Sequence, residues 1–293
     1  MAGELRSGLL KEWRLADFST CPRREKSSSS GHLESRTSRE GAILQKIAMI
    51  TGASTGLGHE LAKQMAHSGY DLALVARRRE LLEELKTELD KTGRRILVLI
   101  ADVSRWEQIR EAVERTEKEL GPIDLLVANA GVSLDAPLKR FNVAEARLVY
   151  EVNVIGLMQT VAAALPFMME RKRGHIVGVS SLASYISVPR STVYCSSKAA
   201  VSSYLEGLRI ELMPMNIKVT TICPGFVRTP MTQKNKFKMP FLIDAPEAVR
   251  IMLRGISRGQ AMVHFPTALY LIILLIRIIP PPIRRLILVK LRP

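Results

Sequence analysis

A short apolar run, Lys46-Ile-Ala-Met-Ile-Thr51, passes directly into Gly52-Ala53-Ser54-Thr55-Gly56-Leu57-Gly58 and then into a helical pattern over 60–68 that Gly69 closes. Few folds accept that succession. A run of buried-strand character, a glycine-rich turn and a helix form the first unit of a parallel α/β sheet. The alternation then repeats. Strands are expected over 70–76, 95–101, 123–128, 174–180, 217–222 and 261–265, with helices over about 80–91, 105–120, 144–170 and 192–213 between them. Strands and helices alternating at this spacing predict an α/β fold, a doubly wound parallel sheet in a three-layer α/β/α arrangement. Pro166 falls inside the 144–170 pattern and is expected to kink or break it.

The turn residues carry the first chemical signal. Glycines let the backbone approach a pyrophosphate, whose charge is favoured by the free N–H groups and dipole of a helix start. The second strand ends at Ala76, followed by Arg77-Arg78-Arg79. An acidic residue there would take an adenine ribose 2′-hydroxyl, whereas Arg77 would accept a 2′-phosphate, so NADPH is expected over NADH. The other reading is a solvated basic helix start, although three cations there oppose the helix dipole. Asp102 and Val103 end the third strand, where adenine would lie.

Ser181 follows the fifth strand, Tyr194 comes thirteen residues later, and Lys198 four after that. If the segment from Ser191 onward is helical, the phenol and ammonium share one face. A phenol titrates near ~10, and the ammonium is expected to favour phenolate and bring it towards the working range. The Ser181 hydroxyl could hold the same substrate oxygen. Against this, Tyr-x-x-x-Lys also recurs on exposed helices by accident. Ser180 should point to the opposite side of the strand, Ser196 and Ser197 to the helix surface or its packing, and Cys195, with no His nearby, should be inert.

Together these residues resemble the short-chain dehydrogenase/reductase family over about 46–266. Thr51-Gly-x-x-x-Gly56-x-Gly58 is similar to the family's cofactor turn, Asp102 to its adenine contact, and Asn129-Ala130-Gly131 to its Asn-Asn-Ala-Gly, with Ala128 in place of the first Asn. Asn153, Ser181, Tyr194 and Lys198 match the family's catalytic tetrad, and Pro224-Gly225 with Thr229 its nicotinamide-side segment. The resemblance implies a Rossmann-type fold and hydride transfer between NADP(H) and a carbonyl or secondary alcohol. It also implies that Ser54, Thr55, Leu57, Val103, Tyr194 and Lys198 join the glycines, Arg77, Asp102, Asn129-Ala130-Gly131, Pro224, Gly225 and Thr229 in holding the cofactor. In those roles Tyr194 is the acid for reduction, Lys198 lowers its pKa and binds the nicotinamide ribose, Ser181 orients the carbonyl, and Asn153 holds a water linking Lys198 to solvent. No metal is expected, and the chain should be a homo-oligomer, dimer or tetramer. Within the family it looks like bacterial reductases of broad specificity and the 3-ketosphinganine reductases. A non-catalytic NADPH-binding regulator at a membrane surface is the alternative, and the complete tetrad argues against it.

Charge and composition bound the rest. Of the formal net charge of +15, residues 250–293 supply eight Arg or Lys and no acid, while 1–45 carry eight bases against six acids. The basic excess interleaves with Leu and Ile and suits an anionic membrane surface better than nucleic acid, for which no recognition pattern is visible. Cys21, Cys195 and Cys223 form no Cys-x-x-Cys pair, which fits a reducing, cytoplasmic setting. Residues 1–45, with Ser27 to Ser30, read as a disordered tail without the apolar core of a signal peptide. The 226–244 segment is expected as a mobile lid or a plain solvated loop. From Ala268 to Ile279 eleven of twelve residues are apolar, short of the ~20 a spanning helix needs. Residues 267–293 are therefore expected as an apolar, basic extension that docks peripherally on the cytoplasmic membrane face, walls a lipophilic substrate, or contacts another subunit.

Overall fold

The computed structural model describes residues 46–134, 138–234 and 238–290. The expected 1–45 tail, Asn235-Lys236-Phe237 of the 226–244 segment, and the last three residues lie outside the described residues. In chain order the elements are β1 (Lys46–Thr51), α1 (Gly56–His67), β2 (Tyr70–Ala76), α2 (Arg79–Leu89), β3 (Ile96–Ile100), α3 (Trp106–Glu119), β4 (Leu125–Ala128), α4 (Val143–Tyr150), α5 (Gly156–Glu170), β5 (Gly174–Val179), α6 (Thr192–Leu212), β6 (Ile217–Pro224), β7 (Val227–Arg228), β8 (Ile243–Asp244), α7 (Ala245–Ser257), β9 (Met262–Phe265), α8 (Thr267–Ile278) and α9 (Pro281–Lys290).

Seven strands form one sheet in the order β3-β2-β1-β4-β5-β6-β9, every neighbouring pair parallel. The chain winds outward from β1 to β3, returns across the sheet, and continues outward through β4, β5, β6 and β9. Between β1 and β4 the winding reverses, which opens a crevice at the strands' carboxyl ends. Alternation along β1 divides the core. Ala48 and Ile50 point to a layer with Leu61 of α1, Leu82 of α2 and Met252 of α7, whereas Met49 faces Ile109 of α3, Val161 of α5 and Leu205 of α6. Both faces of a parallel sheet are thus covered, which is why its strands read as continuous apolar runs.

Two local expectations are corrected. Of the kink or break expected at Pro166, the break does not occur: α5 runs through it to Glu170. The interruption lies upstream, in a π-helical turn over Glu151–Ile155 that joins α4 to α5 and carries buried Asn153. The first helix starts at Gly56, inside the glycine turn, and not at residue 60. The stretch Val143–Glu170 has the length and hydropathy of a membrane span, but Leu157, Val161, Ala164 and Met168 pack into the core beneath the sheet.

The C-terminal extension forms two helices, α8 and α9, separated by Ile279, which is extended, and Pro280. Ile273 is buried with Leu182 and Cys223, and Leu269 and Tyr270 pack around them with Tyr185. The opposite face is open: Leu271, Leu275 and Ile278 are 53%, 65% and 81% exposed, and Leu286 of α9 is 69% exposed.

Candidate active site

The glycine turn is shaped by contacts that leave no room for a side chain. A Cβ on Gly58 would lie 2.3 Å from the Gly52 carbonyl oxygen and 2.6 Å from Asn129 Nδ2. Asn129 closes the junction from the other strand, donating from Nδ2 to Thr51 O at 2.9 Å, while the Asn129 and Ala130 amides donate to Thr51 Oγ1 at 3.1 and 3.2 Å. The ends of β1 and β4 are thereby locked, with the turn above them. No side chain caps the start of α1, no acid occupies its first turn, and Gly56 and Leu57 at that start border the cleft, the arrangement in which helix-start amides can take an anion.

One continuous cleft runs along this edge, lined by the turn from Gly52 to Leu57 apart from Ala53, by Ala76, Arg77 and Arg78, by Asp102 and Val103, by Asn129 to Val132, and by Ser181, Tyr194, Lys198, Pro224, Gly225 and Thr229. Every candidate site residue borders it except Gly58 and Asn153, which act from behind. Asp102 Oδ1 accepts from the Ser104 amide at 3.0 Å and hydroxyl at 2.8 Å, and Oδ2 lies 3.6 Å from Arg77. Burial raises its pKa, but these bonds and the guanidinium outweigh it and hold the carboxyl below the usual range.

Arg77 therefore leans towards Asp102. Its neighbour Arg78 turns back over the glycine turn, donating to Ser54 Oγ at 2.9 Å and Thr55 Oγ1 at 3.0 Å. The sequence reading singled out Arg77 and passed over Arg78. Three consecutive arginines announce the charge, but which one reaches back depends on where α2 begins, at Arg79.

The Ser181, Tyr194 and Lys198 side chains meet on the opposite wall. Ser181 Oγ donates to Pro224 O at 3.2 Å and accepts from the Ala183 amide at 3.1 Å. Lys198 is buried, its Nζ 2.8 Å from Val179 O and 5.9 Å from the Tyr194 ring centroid. Burial pushes the Lys198 ammonium down to about 8. The Tyr194 ring keeps some access to the cleft, yet desolvation lifts its phenol to about 12 despite a hydrogen bond with Ser181 that lowers it. Lys198 spends its charge on a strand carbonyl and is itself disfavoured as a cation.

Asn153 holds protein groups on every side. Its Oδ1 accepts from the Val132 amide at 2.8 Å, and Nδ2 donates to Val132 O and Ser197 Oγ, each at 3.0 Å. A Cβ on Gly131 would meet Asn153 Oδ1 at 3.3 Å and Lys198 Nζ at 3.4 Å, so glycine there lets these two side chains close on the segment that follows β4. Ser180 does point away, donating to Lys198 O at 2.9 Å and meeting Ser202 Oγ at 2.7 Å. Cys195 is a free, buried thiol whose pKa burial raises.

Tyr185, four residues past Ser181, was also missed. Its hydroxyl lies 2.7 Å from His264 Nε2, and His264 stacks on Tyr270 with centroids 3.9 Å apart. No spacing rule links these three positions, because β9 and α8 bring them together only in the fold.

The short chain dehydrogenase pattern matches residues 46–239, and the chain belongs to that family. An uncharacterized oxidoreductase of Myxococcus xanthus is 39% identical over 81% of this chain and 94% of its own length. Estradiol 17-beta-dehydrogenase 11 of Macaca fascicularis is 31% identical over 83% of this chain and 82% of its own. Among solved structures, a short-chain dehydrogenase from Sphingobium yanoikuyae in complex with NADPH superposes with a TM-score of 0.70 at 28% identity, covering 76% of this chain and 88% of that one.

Proposed function

We propose that this protein is an NADPH-preferring carbonyl reductase, or the reverse secondary-alcohol dehydrogenase, acting on a lipophilic substrate such as a keto-lipid, a steroid-like ring or a 3-ketosphinganine-like ketone at a cytoplasmic membrane surface. The observation that carries it is the convergence of Ser181, Tyr194 and Lys198 on the cleft that the glycine turn opens. The residues fit a dinucleotide. Gly52 and Gly58 keep the turn free of side chains, the uncapped start of α1 borders the cleft, and Arg77 and Arg78 stand where a 2′-phosphate would lie.

The cofactor, when bound, supplies the hydride. The protein contributes position and a proton. With its phenol held at about 12, Tyr194 is neutral at physiological pH and can donate its proton to an oxygen that becomes basic as the carbonyl is reduced. Ser181 Oγ, hydrogen-bonded to Tyr194, shares that oxygen and fixes the carbonyl's orientation. Lys198 packs beside the phenol, its Nζ 5.9 Å from the Tyr194 ring centroid, and Asn153 fixes Val132, in the segment after β4, behind it. The lipophilic substrate is supported by the apolar C-terminal segment and by steroid dehydrogenase names among the relatives.

The test is purified protein with NADPH or NADH against carbonyls of graded chain length. Tyr194→Phe should lower turnover by about 10²–10⁴-fold while NADPH binding persists. Retained turnover would remove Tyr194 from the chemistry, faster NADH turnover would overturn the NADPH preference, and a cellular effect surviving Tyr194→Phe would favour the regulator.

A further inference from the structure

The outer face of α8 starts beside a groove between α7, β9 and α8. Arg254 in the last turn of α7 and Arg258 capping its C-terminus, both exposed, border the groove with Gln260, His264, Thr267 and Tyr270. Thr267, Leu271, Leu275 and Ile278 follow at helical spacing, so the exposed apolar stripe begins where the basic groove ends. On α9, Ile283, Leu286 and Val289, exposed by 53%, 69% and 50%, form a second short stripe, with Arg284 and Arg285 beside it. After Glu247 the chain contains no Asp or Glu.

We propose that this surface docks on an anionic phospholipid bilayer, with α8 and α9 lying in the interface and Arg254 and Arg258 meeting headgroup phosphates. This deepens the membrane part of the proposed function and rests on it only for the identity of the substrate. Three observations select the occupant. The twelve residues of α8 are too short to cross a membrane, which takes about 20, and the inner face is already committed to Leu182, Cys223 and Tyr185. Apolar side chains flanked by Arg match an interface that is greasy below and negatively charged above. A two-fold contact with a second copy would instead set this patch against itself and bring cation against cation without a carboxylate to offset them.

The docked helix has a fixed relation to the chemistry. Tyr270 on its inner side stacks on His264, His264 lies 2.7 Å from the Tyr185 hydroxyl, and Tyr185 belongs to the loop that starts at Ser181. A carbonyl compound dissolved in the bilayer therefore reaches the protein beside the loop that carries Ser181.

The full chain should sediment with phosphatidylcholine vesicles containing phosphatidylglycerol far more than with phosphatidylcholine alone, and less as salt rises. Leu271→Glu with Leu275→Glu should lower that binding by about tenfold or more with an unchanged melting temperature. Arg254→Ala with Arg258→Ala should lower binding to the anionic vesicles on the order of tenfold and leave the phosphatidylcholine signal alone. Absence of binding by the full chain, or wild-type binding by both variants, overturns the proposal. So does an oligomer that Leu271→Glu with Leu275→Glu dissociates while no vesicle is bound, which would assign the face to a second copy. The assay contains neither nicotinamide nor carbonyl, so a failure of the reductase reading leaves its result standing.

Discussion

Two adjacent guanidiniums at the end of β2 have different partners, Asp102 for Arg77 and the Ser54 and Thr55 hydroxyls for Arg78. On the NADPH reading proposed above, a 2′-phosphate would meet Arg78, and a charge-assisted bond would replace its two hydroxyl contacts. Arg78→Ala is expected to raise the KM for NADPH by about 10–100-fold with little change for NADH, measured by steady-state kinetics; equal effects on both would move the selectivity to Arg77. Lys198 makes a second prediction. Its folded pKa of about 8 lies below the ordinary 10.5, so between these values the unfolded chain holds a proton that the folded chain releases, and stability from this group rises with pH. Tyr194 has the opposite sign: held at about 12 against 10.0, its contribution is complete below the lower value and disappears as pH climbs to the higher. Between pH 8 and 10 the unfolding free energy of the wild type relative to Lys198→Met should rise, by at most roughly 1.4 kcal/mol per pH unit. A flat difference would place the Lys198 amine in a better-solvated setting. The positions of Ser181, Tyr194 and Lys198 could be read from sequence because a strand end and an i, i+4 helical step fix them. Their protonation could not, because it depends on desolvation by parts of the chain far away in sequence.

At the scale of elements, the alternation of apolar runs with helical patterns was enough to predict the parallel sheet, since both sheet faces are covered and each strand is apolar throughout. The π-turn at Glu151–Ile155 left no such mark. Its residues, Glu-Val-Asn-Val-Ile, fit an ordinary helix, and the widened turn is matched by bonds from Asn153 to Val132 and Ser197, 21 and 44 residues away. Pro166 drew attention because proline usually breaks helices, yet α5 continues through it. Widened turns of this kind often occur at functional sites, and here the turn places a buried amide where the N–H and C=O of Val132, beyond the end of β4, need partners. Asn153→Ala would leave the Val132 N–H and C=O short of partners, while the Ser197 hydroxyl keeps its bond to Tyr194 O. It should cost about 1–3 kcal/mol in urea unfolding, in addition to any loss of rate. A rate loss with unchanged stability would assign Asn153 to the chemistry alone.

For the whole molecule, the question is what residues 267–293 contribute beyond a docking face. The sequence marked the extension as apolar and basic but gave no sign that its two helices differ. In the fold, α8 is part of the body: Ile273 is 7% exposed and closes a cluster with Leu182 and Cys223, and Arg277 lies over the Tyr185 ring at 5.7 Å. Along α9 the apolar side chains are largely exposed, and Arg284 donates back to Arg277 O at 3.2 Å. Ending the chain after Pro266 therefore strips the loop that holds Ser181 of its cover, whereas ending it after Ile279 removes only α9. Losing one buried Ile and two partly buried neighbours forfeits on the order of 3–5 kcal/mol. At roughly 2–4 °C per kcal/mol for a domain of this size, the shorter protein should melt about 6–20 °C lower and lose turnover. The longer truncation should keep both the melting temperature and turnover of the full chain while binding anionic vesicles more weakly. Calorimetry and steady-state assays on the two truncations separate the roles, and equal melting temperatures for both would show that α8 is as dispensable to the fold as α9.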